Sequence, residues 1–334
     1  MIACRPIVGQ NGFGNEFMNV AKAIVCAREL GAKFVKTRWP EPYARLLTHE
    51  FHEPYLWRHR LRFLRYRLTH RVVEVDQPFC ERMVEGSITT GLRRHMREHG
   101  LTMRDDVLYR ISYFPEMKLY PGIGCVLHDI AFLQSVVLRN RAIAAEVDAM
   151  ARRFDGAVLN VGVHIRRGDF LPEIPFGEKW PITNGTMLEM CRRVPLEWYR
   201  HLCTLLRATF GPRVRFFLSS NGHDPDLADF EREFSCLRGI GGEERTPRDV
   251  VDLLTLSRMD LLVASPSWFS MWAIAFSGRP FVWYEPAFAP PTYLSTRQPC
   301  FLLVKPDALP RDLVEYGLRT LATRTSDRAA PRLD

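Results

Sequence analysis

Apolar and polar positions along this chain alternate between two periods. Ile2 to Val8 is a short apolar run that reads as a strand, and Lys33 to Lys36 reads as a second. Between them Phe17, Val20, Ala21 and Ile24 recur at helical spacing, which predicts a helix from Asn15 to Leu30, ended by Gly31. Strand, glycine-bearing turn, helix and strand make a βαβ unit of Rossmann-like type. From Trp39 to Gly100 the pattern is less regular and strongly basic, and Ile130 to Phe154 reads as one long helix. The alternation then restarts. Val158 to Ile165, Val214 to Ser219, Leu261 to Ala264 and Phe281 to Tyr284 read as strands. Leu196 to Phe210, Asp249 to Arg258 and Trp268 to Phe276 read as the helices between them.

This pattern predicts an α/β protein with two parallel-sheet domains, residues 1–155 and 156–322, and a polar tail, 323–334, that frays. At 334 residues, with 46% hydrophobic and 25% charged side chains, the chain has material for a full core. It opens Met-Ile-Ala-Cys-Arg-Pro, without a basic leader and apolar run, and no stretch approaches a membrane span. A cytoplasmic location is therefore expected. Eight scattered cysteines form no Cys-x-x-Cys pair and sit largely in apolar runs, which fits reduced core thiols. The net charge of +8 favours anionic ligands or surfaces, and does not by itself imply nucleic acid, which is not an expected partner.

Candidate chemistry gathers where the apolar run 157–165 stops. His164 and Ile165 are followed by Arg166, Arg167, Gly168 and Asp169. Ligands of open α/β sheets bind beyond the carboxyl ends of strands, and a guanidinium fork fits phosphate oxygens. The plainer reading is an Arg167–Asp169 ion pair closing a turn, with His164 a core histidine hydrogen-bonded at a strand end. Ser267, Phe269 and Ser270 lie between a strand and a helix, where open backbone amides make an anion site. An ordinary serine N-cap beside core aromatics explains them equally. Gly12, Gly14 and Asn15 occupy the first βα turn, and a lone Gly-x-Gly is often only a tight turn. Glu16 is either a general base or a solvated first-turn acid. Asp249, ahead of the apolar repeat, reads as a helix cap, and Asp252 follows it.

Three segments carry a family likeness, in order along nearly the whole chain. His164-Ile165-Arg166-Arg167-Gly168-Asp169 resembles the His-x-Arg-Arg-Gly-Asp motif of the α-1,2-fucosyltransferases. It is also similar to the His-x-Arg core of the α-1,6- and protein O-fucosyltransferases. Gly9 to Glu16 resembles their N-terminal Gly-x-Gly-Asn-Gln loop, with Glu16 where glutamine is usual. Ser267 to Trp272 is similar to their Asn-Ser-Thr-Phe-Ser-Trp-Trp block, with Pro266, Trp268 and Met271 departing from it.

The resemblance implies a GT-B-like architecture, two Rossmann-like domains facing a cleft. It implies inverting, metal-independent transfer of fucose from GDP-fucose to a glycan hydroxyl, with an α-1,2 linkage. The C-terminal domain would take the donor and the N-terminal domain the acceptor. Arg166 would bind the diphosphate and stabilise the departing GDP. His164, Arg167, Asp169, Ser267, Phe269 and Ser270 would line the donor, with Gly12, Gly14 and Asn15 reaching it from the other domain. Asp252 would accept the ring N–H and exocyclic amine of guanine. Asn15 would join Arg166 in catalysis, and Glu16, departing from the family's glutamine, is a third catalytic candidate through its carboxylate. No cofactor and no metal are implied, GDP-fucose being a substrate. Another GDP-sugar or linkage, or a non-catalytic GDP-sugar or glycan-binding protein, are the alternatives.

Two further motifs compete. Asp224-Pro225-Asp226 spells a metal-binding Asp-x-Asp, but it follows a polar turn and reads better as a helix start. Trp57, Leu61, Leu64 and Leu68 form a helical apolar stripe within residues 57–71, bordered by Arg58, Arg60, Arg62, Arg65, Arg67 and Arg71. A basic amphipathic helix suits an anionic membrane surface, and with it a lipid-linked acceptor. The favoured expectation is instead a helix packed on the N-terminal domain, with arginine stems along its flank.

Overall fold

The computed structural model describes residues 1–7, 13–39, 43, 46, 50–76, 79, 87–112, 123–154, 156–168, 171–173, 175–176, 178, 192–222, 225–239, 247–285, 287 and 292–329, with 292, 293 and 325–329 described by backbone alone. The chain divides into two compact units, Met1–Ala145 with Glu243–Val250, and Glu146–Gly242 with Val251–Asp334. The division falls ahead of the expected boundary at residue 155. Arg258 reaches Asp148 (2.8 Å), Arg153 donates to the Arg238 carbonyl, and Arg215 donates to the Arg153 carbonyl, so this segment is bonded into the second unit.

In the first unit β1 (Ala3–Pro6), α1 (Phe13–Leu30) and β2 (Lys33–Phe34) follow the sequence pattern closely. Next come α2 (Leu56–Thr69), β3 (Arg71–Val75), α3 (Ile88–Glu98) and β4 (Val107–Ile111). The strands run parallel in the order β2-β1-β4-β3, with Ala3 beside Leu108 and Cys4 beside Tyr109. Successive side chains of a strand face opposite sides. Ala3 and Leu108 pack with Tyr66 and Phe63 of α2. Tyr109 meets His95 of α3 (3.0 Å), and Thr89 of α3 reaches Cys26 of α1. Thus α2 covers one face of the sheet, and α1 with α3 the other. The sequence pattern missed α3 because its buried face mixes Ile88, Leu92 and Met96 with Thr89, Gly91 and His95.

The long helix expected over 130–154 is two helices, α4 (Ile130–Leu138) and α5 (Arg141–Ala151). Asn140 breaks it. Its Oδ1 accepts from the Ala142 and Ile143 amides (3.1 and 3.3 Å), which caps a new start.

The second unit contains β5 (Leu159–Ile165), α6 (Leu196–Phe210), β6 (Val214–Ser220), α7 (Pro225–Phe234) and β7 (Leu237–Arg238). After α8 (Arg248–Leu256) come β8 (Leu261–Ala264), α9 (Trp268–Ser277), β9 (Phe281–Tyr284), α10 (Thr292–Ser295), β10 (Cys300–Leu303) and α11 (Arg311–Ala329). All pair in parallel, in the order β10-β9-β8-β5-β6-β7. Every residue of β5 is buried, as befits the middle of a sheet covered on both faces. A Cβ on Gly162 would come within 2.8 Å of the Leu256 and Met259 side chains, so only glycine lets that layer approach.

Two smaller expectations meet the structure here. Backbone helix continues through Thr323 to Ala329 rather than fraying. Leu321 is buried, and Arg324 bonds Asp260 (2.5 Å) and the Val158 carbonyl (3.2 Å). Cys4, Cys26, Cys125 and Cys203 are buried free thiols, and burial pushes Cys4 up to about 12, which keeps it unreactive. Among the described residues no helix is long and apolar enough to cross a membrane.

Candidate functional site: the switch point of the second sheet

In the second sheet β6 and β7 lie on one side of β5, and β8, β9 and β10 on the other. The winding therefore reverses between β5 and β8. Loops leaving adjacent strands at such a point diverge to opposite faces and open a crevice at the carboxyl ends. The segment 164–168 leaves β5 there, and 265–270 leaves β8.

Side chains stitch these loops together. Ser265 Oγ donates to the His164 carbonyl (3.0 Å) and accepts from the Arg166 amide (2.9 Å). Its single proton being committed, the 2.7 Å contact with Tyr199 is one in which the tyrosine donates. His164 Nδ1 lies 2.6 Å from Ser270 Oγ, and its ring sits 4.6 Å from that of Phe269, tilted by 35°. Burial, with Arg166 nearby adding to it, pushes the His164 pKa down to about 3. The imidazole is thus neutral at physiological pH, and the positive charge here belongs to arginine.

Ser267 caps α9. Its backbone is extended, and its hydroxyl accepts from the Ser270 amide (3.2 Å). The serine-cap reading is therefore correct, and it leaves the first turn of α9 with its dipole aimed at the crevice. Ser267 and Phe269 are half-buried, Ser270 fully buried.

Arg166 is half-buried just past the strand end. Arg167 is buried, and its Nη1 reaches Glu173 Oε2 (2.7 Å), which also accepts from the Leu196 amide at the start of α6 (3.3 Å). Asp169, its expected partner, lies outside the described residues. Asn221 Oδ1 accepts from the Arg167 and Gly168 amides (2.9 and 3.2 Å), while Arg193 donates to the carbonyls of both. A Cβ on Gly168 would fall 2.3 Å from Asn221 Nδ2, so this turn requires glycine.

Asp252 joins the same group. It is buried on α8 and accepts from Ser219 Oγ (3.0 Å), and Ser219 is the register partner of His164. Thus His164, Arg166, Arg167, Asp252, Ser267, Phe269 and Ser270 converge. The sequence reading overlooked the residues that hold them: Ser265, Tyr199, Asn221, Glu173 and Arg193. The Asn221-Gly222 turn directly after β6 was a usable signal. Glu173 and Arg193 act across a fold that no local pattern reports.

The first-turn candidates belong to the other unit. Gly14 and Glu16 are buried and Asn15 is half-buried near the start of α1, and Gly12 lies outside the described residues. Glu16, at 1% exposure, is not the solvated first-turn acid that was the alternative reading. The Phe13 amide donates to Tyr43 Oη (3.1 Å), which donates to Asp249 (2.5 Å). Asp249 is hence not the N-cap of its own helix. It sits inside α8 and steadies the start of α1 through Tyr43. Asp226 lies exposed in the first turn of α7, the helix start expected of it, and Asp224 lies outside the described residues.

No protein-family model and no curated protein matches the chain. Solved structures do. Fucosyltransferase NodZ from Bradyrhizobium is 14% identical, over 81% of this chain and 92% of that one, at a TM-score of 0.42. A mutant of Arabidopsis thaliana FUT1 in complex with GDP is 12% identical over 84% and 69%, at 0.45. POFUT1 in complex with GDP-fucose is 13% identical over 90% and 97%, at 0.44. At such scores no residue role and no reaction transfers from them.

Proposed function

We propose that the protein is a glycosyltransferase that moves fucose from GDP-fucose to a glycan hydroxyl, inverting the anomeric centre without a metal. The observation that carries this reading is the convergence at the switch point. A half-buried guanidinium, a serine-capped helix start and a buried carboxylate meet there beside a histidine that stays neutral. The donor diphosphate lies against Arg166 and the positive end of the α9 dipole. Asp252 accepts two N–H groups from guanine, a pair that adenine lacks. As the bond from C1 to the diphosphate breaks, the sugar takes on oxocarbenium character and GDP gathers charge. Arg166 offsets that charge without a proton transfer. The acceptor hydroxyl attacks the opposite face of C1 and gives its proton to a base. Asn15 enters this reading on the sequence likeness alone, and Glu16, which departs from that likeness where glutamine is usual, enters as a carboxylate able to serve as the base. The α-1,2 linkage, the GT-B cleft and a role for Asp169 and Gly12 rest on the same likeness.

The test is radiolabelled GDP-fucose with a panel of galactoside acceptors, alongside thermal shifts with GDP, GDP-fucose, UDP and ADP. A ligand at about a hundred times its Kd adds about 2.7 kcal/mol. Stabilisation by GDP and GDP-fucose alone, with EDTA-insensitive transfer, is the expected result. Equal shifts with ADP overturn the assignment of Asp252. Stabilisation by GDP-fucose without transfer to any acceptor leaves a binding protein in place of an enzyme.

A further inference from the structure

The arginine-rich helix packs on the first unit, as expected of it, but not through its apolar stripe. Among the described residues of α2, Tyr66 alone is buried, and the half-buried His59, Arg62 and Phe63 share its side. That side packs on the first sheet. Phe63 lies under the Arg5 guanidinium (3.8 Å), and Arg62 pairs with Glu53 (2.7 Å). The apolar stripe faces away. Trp57, Leu61, Leu64 and Leu68 are 58%, 58%, 52% and 77% exposed.

With about 100° per residue, these four cluster on one line opposite Tyr66. Arg58 and Arg65 fall on one flank of that line, Arg60 and Arg67 on the other, each about 70–90° away. All four arginines are exposed and make no ion pair among the described residues. The helix contains no Asp or Glu. Tyr55 and Leu56 extend the exposed apolar surface at its start. Exposed large apolar side chains in a contiguous strip mark a surface that is covered in use.

We propose that α2 docks the protein on an anionic lipid bilayer, lying in the interface with the Trp57–Leu68 line inserted and the arginine rows at headgroup level. Charge selects this occupant. A second copy of the chain would set arginine rows against arginine rows. A nucleic acid would be held by the arginines and leave four large apolar side chains in water. An anionic bilayer satisfies both, with guanidinium groups reaching phosphates while their stems lie along the acyl boundary. The tryptophan at one end of the line suits the same boundary. This inference is independent of the donor site and of the reaction proposed for it.

Flotation of the whole protein with phosphatidylglycerol-containing and pure phosphatidylcholine vesicles tests it. The wild type should float with the anionic vesicles and remain behind with the neutral ones. The combined variant Trp57→Ser, Leu61→Ser and Leu68→Ser should lose at least about tenfold in partitioning. The variant Arg58→Gln, Arg60→Gln, Arg65→Gln and Arg67→Gln should lose a comparable factor, with its salt dependence flattened. All altered positions are exposed, so both variants should keep the wild-type circular dichroism and thermal shift with GDP. Absence of wild-type flotation, or flotation unchanged in the apolar variant, overturns the proposal. So does a wild-type dimer that the apolar variant turns into a monomer, or retention on DNA that the apolar variant leaves intact.

Discussion

The protein displays arginine in two contrasting ways. At the end of β5 two adjacent arginines are built in: Arg167 is buried against Glu173, and the backbone of both is held by Ser265 and Asn221. On α2 four arginines stand in water on either side of an apolar line. Composition treats these regions alike, since both simply raise the net charge. Geometry separates them. A guanidinium whose backbone is pinned at a strand end by a neighbouring loop presents a defined direction and suits recognition of one diphosphate. Guanidinium groups on long exposed stems present an average field and suit an extended anionic surface.

That contrast can be broken experimentally, beginning where the effect is greatest. Arg166→Ala should lower fucose transfer about a hundredfold or more, equivalent to roughly 2–5 kcal/mol, while circular dichroism and melting temperature stay near wild type. Near-normal transfer would remove Arg166 from its assigned role. Arg167→Met should instead act on stability. It strips Glu173 of its partner and should cost about 1–3 kcal/mol in urea unfolding, reduced from the buried-pair range because Glu173 is itself partly exposed. An unchanged midpoint would mean that Arg167 belongs with Arg166 as a ligand group and not as a strut.

A third effect depends on pH. His164 stays neutral in the folded protein down to about 3, whereas the unfolded chain takes up the proton near 6.5. The unfolded state then binds more protons, so stability falls as pH drops from 6.5 toward 3, by up to about 1.4 kcal/mol per unit from this group. His164→Asn should flatten that loss between pH 7 and pH 5. Identical slopes for variant and wild type would locate the acid sensitivity elsewhere. The smallest expected effect sharpens the contrast from the other side. Arg65→Gln and Arg67→Gln on α2 should shift unfolding by no more than about 0.5 kcal/mol.

Much of the second unit was legible in the sequence, because its central strands are continuous apolar runs and its helices begin and end at marked residues. The strand Phe281–Tyr284, for one, is found where the pattern puts it. The first unit was harder. α3 escaped notice because Thr89, Gly91 and His95 interrupt the apolar period while still being buried. The break at Asn140 was missed because a polar residue between Arg139 and Arg141 is easily taken for the exposed face of one continuous helix. In the site, residues at strand ends could be named, since position and residue type agree there. Their supports could not. The contact of Ser265 with Tyr199 joins positions far apart in the chain, and only the fold brings them together.

One feature of the second sheet also bears on how the protein comes to exist. Val161 pairs with Leu261, and His164 meets Ser270 from 106 positions away. During synthesis β5 leaves the ribosome well before β8 is made, with its largely apolar surface uncovered. Such long-range parallel pairing forms slowly and invites association meanwhile. The crevice must therefore be among the last parts of the molecule to mature, and any translational pause or chaperone contact that shields β5 during that interval would govern the yield of active protein.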